Sequence, residues 1–113
     1  MKKIEAFIRP EKLTMTKDSL EEHGCEWSIS VSEIMGHGHQ KGVNEVWKGK
    51  EFNIELLPKI KIEIVVADED LDKTVQAIMS ASRTGSIGDG KIFVSDINNA
   101  YRIRTGEQGD IAI

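Results

Sequence analysis

A single α+β domain follows from two features of this 113-residue chain. Apolar residues recur at every second position in several segments, and stretches with helical spacing lie between those segments. The order strand, helix, strand is found in the first half and again in the second, which predicts one sheet with both helices on one face, a ferredoxin-like β-α-β-β-α-β sandwich.

The first strand is carried by Ile4, Ala6 and Ile8, alternating with Glu5, Phe7 and Arg9, and Pro10 ends it. In the first helix Leu13 and Leu20 lie about two turns apart, Thr14 is the expected N-cap, and Gly24 is the expected left-handed stop. Residues 27–35 return to alternation, with Ile29 and Val31 on one side and Ser28, Ser30 and Ser32 on the other, predicting the second strand. The third is predicted from Ile60, Ile62, Ile64 and Val66 alternating with Lys61, Glu63 and Val65. Asp68 is the expected cap of the second helix, Glu69 and Asp70 complement its dipole, and Leu71, Val75, Ile78 and Met79 form its apolar stripe. A fourth strand is expected from Lys91 and a short further one over 100–105.

Between the second and third strands, residues 36–58 fit neither period. Irregular connections beyond roughly a dozen residues are generally functional or disordered. Trp47, Lys48 and Phe52, set among glycines and lysines, suggest a segment that docks on partners, since aromatic anchors dominate interface energetics. The alternative is a long β-hairpin extension that packs its own aromatics.

Charge and cysteine content narrow the function classes. Fifteen basic against 19 acidic residues give a formal net charge of -4, which argues against a general binder of nucleic acid or anionic membrane. Cys25 is the only cysteine, so no intrachain disulfide forms and a reducing compartment is expected. The amino terminus runs straight into alternation without a long apolar region, and no segment reaches membrane-spanning length; a cytoplasmic protein is the expectation.

The chemistry concentrates in Thr84-Gly85-Ser86-Ile87-Gly88-Asp89-Gly90-Lys91, followed by Ile92-Phe93-Val94 and later by Arg102-Ile103-Arg104-Thr105-Gly106-Glu107. Gly85, Gly88 and Gly90 can adopt positive φ and aim successive N–H groups into one concavity, a good anion site. Arg102 and Arg104, two apart on the expected strand, would share one face, with Lys91 as a third cation. Gly85 to Lys91 matches the start of a P-loop, but Ile92 stands where Ser or Thr is required and a strand follows instead of a helix, so this is not a P-loop NTPase. Asp89-Gly90 before an apolar run also reads as an ordinary hairpin turn.

Taken in order, these blocks resemble the PII nitrogen-regulatory signal-transduction proteins along essentially the whole chain. The likeness rests on Lys2-Lys3-Ile4-Glu5-Ala6, Val31-Ser32-Glu33, Gly36-His37-Gly38, Gln40-Lys41-Gly42 and Leu57-Pro58-Lys59-Ile60-Lys61-Ile62-Glu63-Ile64-Val65-Val66, together with the glycine loop and the arginine segment. The resemblance implies a homotrimer with ATP or ADP in the clefts between subunits, and a projecting T-loop over about 37–57. It places Gly88, Asp89, Gly90 and Lys91 around the phosphates, with Thr84, Gly36, Gly38, His39 and Gln40 nearby. Arg102 and Arg104 reach them from the neighbouring subunit, and Ser30 and Ile64 border the adenine. It further implies that Gln40 helps hold Mg2+, that 2-oxoglutarate is bound by Gln40, Lys41, Gly42 and Lys59, and that the partners are proteins of nitrogen metabolism, such as an ammonium channel that would recruit the chain to the membrane.

Some positions depart from the family pattern. His39 stands where many members carry Arg, replacing a permanent charge by a titratable one. Phe52 and Lys50 stand where branches of the family carry a uridylylated tyrosine and a phosphorylated serine, so neither modification is expected there and control by ligands alone is predicted. Lys48 replaces a channel-plugging arginine, keeping charge without the planar fork. The competing readings are a nucleotide-hydrolysing enzyme in the same cleft, for which no oriented base is evident, and a metal-binding trimer using His37 and His39, which lack a third ligand.

Overall fold

The computed structural model describes residues 1–25, 28–37, 45–47, 50–52 and 56–113, with 45–47 and 50–52 described by their backbone alone. In chain order it contains β1 (Lys2–Ile8), α1 (Leu13–Glu22), β2 (Ser30–His37), β3 (Glu45–Trp47), β4 (Lys50–Phe52), β5 (Leu56–Val66), α2 (Leu71–Ser82) and β6 (Lys91–Asp96). The main sheet has the order β2-β5-β1-β6, every pairing antiparallel, and β3 and β4 form a separate two-stranded ribbon. This is the expected ferredoxin-like arrangement, each helix crossing from one strand to another with a third strand inserted between.

Alternation decides which face the helices cover. Ile4, Ala6, Ile8, Ile60, Ile62, Ile64 and Val66 are all buried and meet Leu20, Ala77 and Ile78 from the helices. Fully burying each such isoleucine contributes about 1.5–3 kcal/mol. The helices are joined directly where the Ser19 hydroxyl donates to the Ala77 carbonyl at 2.9 Å.

Several local expectations change. Each helix is entered through a 3-10 turn, Pro10–Lys12 and Asp68–Asp70, so Thr14 lies inside α1 and Asp68 does not cap α2. Backbone bonds from Lys12 N to Arg9 O and from Asp70 N to Ala67 O, each 3.0 Å, satisfy the entry instead, and Asp68 accepts from the amino-terminal amine at 2.9 Å. Gly24 takes the left-handed stop as expected, at φ +68°. β2 starts at Ser30 because Ser28 has φ +65°, which no strand tolerates, while Glu26 and Trp27 lie outside the described residues.

The connection read as irregular is partly regular. β2 continues through Gly36 and His37, paired with Leu57 and Leu56, and β5 begins before Pro58. β1 reaches only as far as Ile60 on β5, so Pro58 sits where β5 has one neighbour and its missing N–H is tolerated. The base of this segment is thus an extension of the β2–β5 pairing, while the aromatic side chains on which the hairpin alternative turns lie outside the described residues. The further strand over 100–105 does not form: Tyr101 makes an isolated bridge to Gln108 and the chain turns through 102–105. Gly106, at φ +72°, donates to the Arg102 carbonyl at 2.7 Å, closing the segment on itself.

Candidate functional site

The glycine loop joins α2 to β6, and positive φ at Gly85, Gly88 and Gly90 shapes it. Its centre is the Asp89 carboxylate. One oxygen accepts from the backbone N–H groups of Thr84 and Gly85, each at 2.9 Å, and the other accepts from the Thr84 hydroxyl and, at 3.2 Å, from Arg9 Nε. Arg9 also donates through Nη2 to the Ile87 carbonyl at 2.8 Å, and Lys59 donates to the Gly88 carbonyl at 2.6 Å.

These donors, the Thr84 hydroxyl foremost, hold the Asp89 carboxyl well below the usual carboxylate range. A depressed value in the folded state means that the bonds contribute above the ordinary aspartate value of about 3.9 and are lost only as pH falls through the lowered one. The loop should therefore keep its form throughout neutral and mildly acidic pH. Its carboxyl carbon shift in an NMR titration should stay flat from pH 8 down to about 4; a transition in that window would show that the carboxylate is not so held.

Beside the loop, Phe7, Ile34, Gly36, His37, Lys59, Gly90, Lys91 and Phe93 line a concavity of about 240 Å³. Phe7 and Phe93 meet edge to face at 5.8 Å and give it an apolar wall, while Lys59 and Lys91 supply positive charge. A second hollow of about 350 Å³ lies along β6 and α2 and includes Arg83, Asp89, Gly90 and Lys91. An apolar wall beside cations and a glycine loop suits a ligand with a flat apolar part and an anionic part.

Of the residues picked out in the sequence, the fold gathers Gly36, Lys59, Gly90 and Lys91 at one place, with Gly88, Asp89 and Thr84 in the adjoining loop. Arg102 and Arg104 are not on one face of a strand, since the segment turns. Arg102 instead donates to Glu107 at 3.0 Å and to the Ile111 carbonyl at 2.9 Å, and Arg104 is exposed. The Ile64 side chain is 1% exposed beneath the helices, whereas Ser30 pairs with the neighbouring Glu63 on the opposite face of the sheet. By alternation it is Val65 that lies on the face of Ser30. Gly38, His39, Gln40, Lys41, Gly42 and Lys48 lie outside the described residues, as do the side chains of Trp47 and Phe52. Among the described residues no group of His, Cys, Asp and Glu could hold a metal ion, and no helix is long and apolar enough to cross a membrane.

The sheet face away from the helices carries Lys3, Glu5, Lys61 and Glu63 in alternating ion pairs of 2.7 to 3.7 Å. Bonding to Lys61 lowers the Glu63 pKa, and the carboxylates raise those of Lys3 and Lys61. Arg9, which bonds to the glycine loop, is a member of the candidate site that the sequence does not announce. It appeared only as the polar end of a strand, and nothing in its neighbourhood points to a partner 80 positions away.

Comparison with known proteins matches a family model described as "Nitrogen regulatory protein P-II" over residues 1–107. The chain is 51% identical to "Nitrogen regulatory protein P-II 2" of Methanothermobacter thermautotrophicus, covering all of this chain and 97% of that protein. It is also 51% identical to "Nitrogen regulatory protein P-II" of Rhodobacter capsulatus and 52% identical to that of Bradyrhizobium diazoefficiens, in both cases over the full length of each protein.

Proposed function

The chain belongs to the nitrogen regulatory protein P-II family, and from that premise we propose that it is a non-enzymatic sensor of ATP or ADP and 2-oxoglutarate. It signals to proteins of nitrogen assimilation through residues 37–57. The observation that carries the ligand reading is the convergence of the glycine loop with Lys59, Lys91 and the Phe7–Phe93 wall.

The concavity of about 240 Å³ and the adjoining hollow of about 350 Å³ both open at Gly90 and Lys91 on the surface of the single chain. This favours a trimer in which Arg102 and Arg104 complete the neighbour's cleft, and exposed Val94, Tyr101 and Ile103 are apolar surface that such an assembly would cover. In this reading Gly88, Gly90 and Lys91 hold the phosphates and Lys59 pairs with a carboxylate of the metabolite. Its bond to Gly88 ties the metabolite position to the phosphate loop. Gln40 together with the ATP phosphates would hold Mg2+, which would supply an oxygen-binding Lewis-acid centre for a 2-oxo acid and so make 2-oxoglutarate binding depend on the triphosphate. A coupling of about 1–3 kcal/mol suffices to switch states. Trp47, Lys48 and Phe52 are the proposed docking residues, and a cytoplasmic protein recruited to a membrane channel is one setting in which they would act.

Calorimetric titration tests the proposal. Mg-ATP should bind saturably with negligible turnover, and 2-oxoglutarate should give heat only when Mg-ATP is present. A flat 2-oxoglutarate trace with Mg-ATP would remove the metabolite from the proposal, and a flat ATP trace would remove the nucleotide.

A further inference from the structure

A carboxylate in a loop meant for phosphates presents an electrostatic conflict, because like charges repel across a short separation. The geometry around Asp89 resolves it. Two successive amides, Thr84 N and Gly85 N, converge on a single Asp89 oxygen at 2.9 Å each, so this amide nest is already filled by the protein's own anion. The other oxygen takes the Thr84 hydroxyl and Arg9 Nε. Asp89 is an acceptor only, so it offers nothing to a phosphate oxygen. Arg9 brings a full positive charge, and its second bond to the Ile87 carbonyl fixes the guanidinium across the loop. Both partners are mostly shielded, at 17% and 24% side-chain exposure, so the pair is weakly screened.

We propose that Arg9 and Asp89 are positioning residues: Asp89 fills the Thr84–Gly85 nest to set the loop, and Arg9 cancels its charge so that the loop accepts a polyphosphate. The inference rests on the nucleotide reading for its effect on affinity, though not for its effect on loop order. Asp89 accordingly acts through the loop and does not cradle the phosphates itself.

The test uses the full chain. With Arg9→Gln, the uncancelled Asp89 charge should weaken Mg-ATP binding about tenfold and adenosine binding hardly at all, while Arg9→Lys should stay within about twofold for both. In nucleotide-free protein, the Thr84 and Gly85 amides should be protected from hydrogen exchange, and Asp89→Asn should speed both by about tenfold or more. Equal losses for ATP and adenosine, no loss in Arg9→Gln, or unprotected Thr84 and Gly85 amides in the unaltered protein would overturn the proposal. If the unaltered protein binds no adenylate, the nucleotide reading fails, and the exchange result alone decides whether the clamp exists.

Discussion

Gly90→Ala is expected to destabilise the protein on the order of 2–5 kcal/mol, because two independent penalties fall on one residue. Gly90 has φ +97°, where an L side chain is strained, and an added Cβ would overlap the Phe7 carbonyl oxygen and lie 2.8 Å from the carbonyl carbon. Neither obstacle can swing aside, since Phe7 belongs to β1, which is paired on both sides with β5 and β6. Gly85→Ala is the matched control: its φ is +89°, but nothing lies within 4 Å of the new Cβ, so only the conformational penalty of about 1 kcal/mol applies. Urea melts of the two variants should separate them clearly. Equal midpoints would mean that the loop is not seated against β1 as described.

Lys59→Ala is expected to lower 2-oxoglutarate affinity about 30-fold or more at saturating Mg-ATP, the usual cost of leaving a bound carboxylate without its cation, roughly 2–5 kcal/mol. The effect on ATP should be much smaller. Lys59 reaches the loop through a single bond to the Gly88 carbonyl, while Arg9 and Asp89 hold the loop independently. Titrating each ligand in turn distinguishes the cases. Unchanged 2-oxoglutarate binding would exclude Lys59 as its partner, and a parallel collapse of ATP binding would show that the bond to Gly88 dominates.

Features set by neighbouring residues are legible in the sequence, and features set by distant contacts are not. The burial of Ile60, Ile62, Ile64 and Val66 follows from a period of two, and the end of α1 follows from Gly24, because both depend on neighbouring residues. The caps failed at Thr14 and Asp68 because 3-10 turns supplied backbone acceptors that the composition of a segment does not announce. The strand over 100–105 failed because the turn at Gly106 folds the segment onto Gln108, so alternating Arg102, Ile103 and Arg104 never meet the sheet.

The candidate site divides the same way. The glycine loop was visible because positive φ demands particular residues, and Lys59, Lys91 and Gly36 were visible through the motifs that contain them. The side chain of Ile64 is buried with the rest of its alternating set, so in the nucleotide reading only its backbone would face a ligand on the Ser30 side of the sheet.

By itself, then, the order of residues determined the two helices, the strands of the main sheet, the ferredoxin-like layering and the position of the glycine loop, since hydrophobic period and glycine stereochemistry act over a few residues. Only the tertiary structure could decide that Arg9 clasps Asp89, that Lys59 holds Gly88 and that Arg102 turns back to Glu107. Those contacts span wide and narrow separations alike, and each depends on where a folded backbone delivers a charged group rather than on the identity of its neighbours.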